Sequence, residues 1–179
     1  MASGRQHDRL TRRLALPFAL LWWPALGPVG AGVAGLAFLI GGLWLSPDLD
    51  TRSRPSRRWG PLQLLWWPYR RLLSHRSLLS HAPLLGTTLR LAYLALLLAL
   101  AAQLLAPLGA PSPSWWLERA VALWHGQRPL LLTALVGLEA SAWLHLLQDG
   151  DPIPRLPRPL RALARLGRRP PGRTRGSLR

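Results

Sequence analysis

Three stretches of this chain are almost free of charge for long enough to matter. No residue from Leu14 to Pro47 is charged, none from Leu91 to Leu117 is, and Pro129 to Leu147 is apolar apart from Glu139 and His145. A helix needs about 20 mostly apolar residues to cross a bilayer, so the second and third stretches each predict one membrane-spanning helix. Leu91 to Leu105 is nearly all Leu and Ala, residues of high helix propensity. The first stretch reads differently. Pro17, Pro24 and Pro28, with Gly27, Gly30, Gly32, Gly35, Gly41 and Gly42, oppose one continuous helix.

Arginine placement turns these segments into a topology. Four Arg precede residue 14, eight lie in 46–90, two in 106–128 and nine from Arg155 onward. Cytoplasmic flanks are Arg-rich, so the N-terminus, the 46–90 segment and the tail are expected inside, and 106–128 forms the outer loop of a helical hairpin. Residues 14–45 must then leave and return to the same face. Leu26-Gly27-Pro28 is the natural bend, giving two short helices in a re-entrant or shallow hairpin, which is tolerated where neighbouring helices cover it. A single crossing would break the charge rule twice. Trp22-Trp23, Trp66-Trp67 and Trp115-Trp116 lie near the ends of apolar runs, where the headgroup region suits an amphipathic ring; packing inside a core is the alternative. Trp59 to Leu73 reads as an interfacial helix or loop. Arg12-Arg13 before an apolar run resembles a twin-arginine leader, but no clear A-x-A cleavage site follows, and the segment is read as part of the working protein.

The chain has 179 residues, 23 basic against 7 acidic for a formal charge of +16, and no Cys. Every basic residue is Arg. The absence of Cys excludes disulfides, thiolate metal sites, iron–sulfur clusters and a cysteine nucleophile. Charge segregated into blocks between apolar runs is a membrane pattern, not that of a soluble nucleic-acid binder. The expectation is an all-α, membrane-embedded helical domain over residues 1–152, followed by an Arg- and Pro-rich, partly disordered tail over 153–179. That tail should contact anionic lipid headgroups; no nucleic-acid partner is expected.

The scarce ionisable residues are clustered: His7-Asp8, Asp48-Leu49-Asp50 after Ser46-Pro47, His75 and His81, and His145 with Asp149. At about 100° per residue His145 and Asp149 lie about 40° apart on a helix and can approach one ion together. Glu139 lies about 120° round from His145, at the rim. An extended Pro-Asp-Leu-Asp segment would turn both carboxylates to one side and Leu49 to the other. No regular helix face unites His75 and His81, so a loop or helix start must. If the two long spans are antiparallel, His81 at the start of one and Asp149 at the end of the other share a membrane face, and the charge rule puts His7, Asp48 and Asp50 there too. Each pair alone is ordinary hydrogen-bonding chemistry, but ionisable groups beside apolar spans are costly and suggest function. Together they predict a His/Asp site at the helix ends for one or two divalent ions, zinc or manganese best matching imidazole and carboxylate ligands. His125, alone in the outer loop, is a bystander, and Asp151 is read as ending the helix.

This order of residues resembles the bacterial inner-membrane metal-dependent hydrolases. More closely it is similar to a smaller, largely cyanobacterial family of uncharacterised metal-binding proteins. The likeness is carried by Ser3-Gly4-Arg5 with His7-Asp8, Ser46-Pro47-Asp48-Leu49-Asp50, Arg57-Arg58-Trp59-Gly60-Pro61, and His75-Arg76-Ser77 with Leu79-Ser80-His81. The hydrolases in turn are akin to zinc-dependent phospholipase C, an all-α fold with His and Asp zinc ligands. The resemblance, over about residues 3–152, implies His7, Asp48, Asp50, His75, His81, His145 and Asp149 as ligands. It departs from the hydrolase pattern in a His75–His81 gap one residue longer, in Thr51 where a His often follows, and in Ala82 after the second His. The expected function is a metal-binding protein of the bacterial inner (or thylakoid) membrane, its site on the cytoplasmic side. Hydrolysis of phosphoesters or lipid headgroups would take Asp8 or Glu139 as general base and Arg52, Arg54 and Arg76 as phosphate-binding residues. The alternative is a non-catalytic structural or sensing metal.

Overall fold

The structure, a computed structural model, describes residues 2–150. The tail from residue 153, and Asp151, lie outside the described residues. Among those described the fold is all-α, without strands. The first helix, α1 (Gly4–Leu20), starts at a capping box: the Ser3 hydroxyl accepts the Gln6 N–H while the Gln6 side chain accepts the Ser3 N–H. The cap carries the helix through the charged segment that the hydropathy pattern had set apart from the first apolar run. The chain reverses through Leu21 and Trp22 into α2 (Trp23–Leu43), and α2 breaks at Gly27, φ 61° and ψ −163°, backbone that only glycine adopts without strain. The bend therefore has two parts, a turn at Leu21–Trp22 and a break at Gly27, rather than one at Leu26-Gly27-Pro28.

The α1–α2 pair is an antiparallel hairpin, with Gly42 against Thr11 and Gly35 against Ala15 and Ala19. Short segments follow: a 3₁₀ turn at Pro47–Asp50, α3 (Arg54–Arg58), a 3₁₀ stretch at Gly60–Trp66, α4 (Trp67–Leu72) and α5 (Leu78–His81). The long helices α6 (Leu85–Leu105) and α7 (Pro113–Asp149) complete the described chain. The second half of α7 runs parallel to α2, Gly137 against Ala34, Ala37 and Phe38, and Gly41 against Leu138 and Ser141. Small residues here let the backbones approach closely. A Cβ at Gly41 would meet Leu138 Cα at 3.0 Å as well as Ser141 Oγ, whereas one at Gly32 meets nothing within 4 Å. Gly41→Ala should therefore cost about 1–3 kcal/mol and lower the thermal midpoint in detergent by several degrees, while Gly32→Ala leaves it unchanged or higher.

The outer loop expected at 106–128 is mostly helix. Ser112 caps α7 by accepting the Trp115 N–H, Pro113 occupies the first turn, and the helix runs on to a break at Gln127, φ −131°, before Pro129. A straight helix of 37 residues would be about 55 Å long, well beyond a hydrocarbon core of about 30 Å. The Gln127 break divides it into an exposed first part, including His125, and a second part that packs against α2. Three segments, Trp23–Asp50, Leu85–Leu108 and Pro113–Asp149, are long and apolar enough to cross a membrane. Of α6 only Gly86, Arg90 and Ala102 are buried; Leu89, Tyr93 and Leu94 pack against the Leu49, Trp66 and Tyr69 cluster, and Leu96, Leu98, Leu100, Leu104 and Leu105 are exposed.

The Trp doublets divide. Trp23, Trp67, Trp115 and Trp116 are exposed, but Trp66 is fully buried with Leu49 and Tyr69 beneath the Asp48–Asp50 turn. Trp59, expected at the interface, stacks edge-on against Trp66 and donates its indole N–H to the Trp44 carbonyl at 3.1 Å. This aromatic cluster is the platform on which the polar segments rest. The start of α1, the ends of α2 and α7 and the start of α6 all meet at that end of the molecule.

Candidate metal centre

The Asp48–Asp50 segment is a 3₁₀ turn, not the extended strand the spacing suggested. Pro47 fixes its first φ and the Ser46 hydroxyl accepts the Asp48 N–H at 3.4 Å, so the local sequence favours a turn. Leu49 still points into the core, but the two carboxylates separate rather than aligning. Asp50 faces His75 and His81, with Oδ1 2.9 Å from His75 Nδ1 and Oδ2 3.3 Å from His81 Nδ1. Asp48 faces the other way, its Oδ1 3.4 Å from His145 Nε2 and 3.9 Å from His81 Nε2.

A tight loop unites the two histidines that no helix face could. Arg76 between them adopts φ 59°, a left-handed conformation costing a non-glycine residue about 1–2 kcal/mol, and the His75 and His81 rings meet edge to face at 5.1 Å. On the opposite side α1 supplies His7, whose ring stacks on His145 at 3.9 Å. His7 Nε2 lies 3.1 Å from Asp149 Oδ1, and His145 Nε2 lies 3.8 Å from Asp149 Oδ2. Burial, reinforced by His145, lowers the His7 pKa against the opposing effect of Asp149 and so favours the neutral, ligating form of the ring. The hydrogen bond to Asp50 raises that of His75 against the opposing effect of burial.

Seven sequence-predicted residues thus come together as two groups: Asp48, Asp50, His75 and His81, and His7, His145 and Asp149, with potential ligand atoms within 4.8 Å of one another in each. Asp48 joins the groups through His145. Two ligands on one tetrahedral zinc-type ion, each about 2.0–2.2 Å from it, lie about 3.3–3.6 Å apart, close to the spacings found. The buried Nε2 atoms of His81 and His145 and Oδ2 of Asp50 have no hydrogen-bond partner, so both imidazole nitrogens converge on one carboxylate oxygen with nothing else to satisfy them. Hydrogen bonds within the protein do not account for that arrangement; a divalent cation fits it.

The other predicted residues have different surroundings. Asp8 accepts from Arg54 Nε at 2.8 Å and from Arg58. Glu139 Oε1 accepts the Leu84 N–H at 2.7 Å, tying α7 to the start of α6 where Leu84 has φ 61°. Neither belongs to the ligand groups. Arg76 donates to Asp149 Oδ2 at 3.1 Å, at the edge of the site, and Arg52 is exposed.

Three residues to which the sequence assigned no part in the site support the ligands. Ser46 Oγ lies 3.3 Å from His145 Nδ1 and Ser80 Oγ 2.9 Å from His81 Nδ1, each orienting a ring through the nitrogen that faces away from Asp48. Arg90, fully buried, donates to the Ser80 carbonyl at 3.0 Å and to Thr87 Oγ1 at 3.1 Å. The available signal was one arginine five residues into an otherwise apolar helix; counted among the loop charges, it reads as a topology marker. Ser80→Ala should weaken metal affinity by about tenfold, the lower end of what such supporting partners contribute, as read by competition with a chromogenic chelator.

Comparison with known proteins points to metal binding as well. An uncharacterized protein of Aquifex aeolicus (strain VF5) is 46% identical over 61 residues, which make up 34% of this chain and 43% of that protein. The match thus spans less than half of the relative's length. No solved structure matches. Residues 2–154 match a family model, and the chain therefore belongs to the family described as uncharacterized metal-binding protein (DUF2227).

Proposed function

We propose that this protein is an integral membrane metalloprotein whose two ligand groups form a two-ion centre on the cytoplasmic side, and that the centre hydrolyses phosphoesters, lipid headgroups among them. The observation that carries the reading is Asp48, whose Oδ1 lies between the unpartnered Nε2 atoms of His81 and His145, as a carboxylate shared by two ions would. Divalent zinc or manganese held by such ligands supplies Lewis acidity and lowers the pKa of a water it carries. The side chain of His75 is 40% exposed and that of Asp48 22%, so substrate can approach the Asp48–His75 side. Arg76 presents a guanidinium anchored by Asp149, and Arg52 lies nearby in sequence for a phosphate oxygen. The choice of reaction rests on the order of His and Asp motifs in the sequence, which resembles that of inner-membrane metal-dependent hydrolases, and the Arg-rich flanks support the cytoplasmic orientation. Turnover of a chromogenic phosphodiester and of phospholipid vesicles should appear on loading with zinc or manganese and vanish in Asp50→Ala. Full turnover in that variant would rule the reaction out.

A second reading applies to one half of the centre. The side chains of His7, His145 and Asp149 are all under 10% exposed, and closed sites are structural rather than catalytic. An ion there would pin α1 to the end of α7. It should exchange slowly, and its loss should lower the thermal midpoint, whether or not the other group is loaded.

A further inference from the structure

We propose that α1 and the groove beside it bind one anionic phospholipid, the phosphate headgroup on the arginines of the first three turns and one acyl chain in the groove between α1 and α2. This goes beyond the metal centre and does not depend on it. At about 100° per residue, Arg5, Arg9, Arg12 and Arg13 fall within about 100° of one another on a face turned away from the buried His7 and Thr11, with Asp8 at its edge. The same stripe continues as Leu16 and Leu20. One face of α1 is thus cationic for three turns and apolar for the next two, the polarity of a phospholipid laid along it.

Two cavities follow that division. One, of about 340 Å³, is lined by Arg5, Arg9, Arg12, Arg13, Arg54 and Asp8. Asp8 is already matched by Arg54 and Arg58, and among the described residues Arg5, Arg9, Arg12 and Arg13 form no hydrogen bond or ion pair. The other, about 510 Å³, runs between α1 and α2 along Ala15, Leu16, Ala19, Leu20, Leu36 and Leu39. Arg12 lines both, so the cationic pocket adjoins the apolar groove. A free anion would leave the groove unused, and a polynucleotide would have no use for its apolar walls. An anionic lipid uses both.

The test titrates full-length protein in detergent with phosphatidylglycerol and phosphatidylcholine of identical chains, reading bound lipid by native mass spectrometry. Phosphatidylglycerol should bind about tenfold tighter or better. Arg9→Gln/Arg12→Gln should lose about tenfold or more of that affinity, each arginine near an anionic lipid contributing roughly a factor of five. Arg119→Gln/Arg128→Gln, which removes equal charge where both guanidiniums lie over Trp rings, should stay within about twofold of wild type. Leu36→Trp, filling the groove at an exposed position, should weaken both lipids and leave inorganic phosphate binding unchanged. Equal losses in the two arginine variants, no preference between lipids, or full affinity in Leu36→Trp would each overturn the proposal. A protein that binds lipid this way but cleaves no phosphoester supports it and removes only the hydrolase reading.

Discussion

Asp48→Ala should leave the purified protein with little of its metal, even though it removes one carboxylate. Asp48 Oδ1 faces both His81 and His145, which belong to different ligand groups, so its loss opens both at once. Supporting partners alone contribute about 10–100-fold to metal affinity, and a ligand contributes more; each group should weaken by about a hundredfold or beyond. Asp50→Ala provides the contrast. Asp50 contacts only His75 and His81, so the variant should keep the ion held by His7, His145 and Asp149. Metal-to-protein ratios after dialysis separate the two cases, and equal retention by both variants would mean that Asp48 is not shared.

Asp8→Ala should be among the most destabilising single changes at this end of the molecule. The Asp8 side chain is 7% exposed and accepts from both Arg54 and Arg58, and the Arg58 side chain is itself only 18% exposed. Removing one partner from a buried ion pair typically costs 3–5 kcal/mol, because the remaining charge is left uncompensated. Arg54, 41% exposed, returns to water at little cost, so about 2–4 kcal/mol is expected, nearly all of it through Arg58. Thermal unfolding of Asp8→Ala beside the Arg58→Ala/Asp8→Ala pair tests this directly. The double variant should recover part of the loss, whereas an unchanged midpoint in Asp8→Ala would show that the pair contributes nothing.

The candidate site was legible in the sequence largely because its residues are rare. A chain with 5 His and 7 acidic residues leaves few ways to assemble a cluster, and the arginine distribution predicts that the relevant helix ends share one face. Local backbone geometry was less legible. Alternation along Pro-Asp-Leu-Asp matches an extended strand as well as a turn, and only the Ser46 cap with Pro47 selects the 3₁₀ form that sends Asp48 and Asp50 to different partners. Hydropathy placed the start of the first helix at the first apolar residue, yet Ser3 and Gln6 begin it in the charged segment, and this carries His7 onto the bundle face. The Trp doublets looked equivalent because composition does not say which ring of a pair faces the core. Trp66 does, since the preceding 3₁₀ stretch turns it under Leu49.

Pairings distant in sequence were invisible. Asp8 finds Arg54 and Arg58 only after the α1–α2 hairpin has closed, and Glu139 finds the Leu84 amide only once α6 and α7 are antiparallel neighbours. In the sequence both read as candidate general bases because nothing near them in the chain occupies them. The helix at 113–126 was missed for a different reason: the charge rule describes which side a segment lies on, not whether it is helical.

The most direct test of the central claim is the metal content of the detergent-purified protein by elemental analysis, beside a His81→Ala/His145→Ala variant. These two rings supply the nitrogens that converge on Asp48, one from each ligand group. One or two equivalents of zinc or manganese in the wild type, lost in the variant, are the predicted result. A wild type that stays metal-free after incubation with both ions would contradict the account and leave these His and Asp side chains as hydrogen-bonding partners at helix ends.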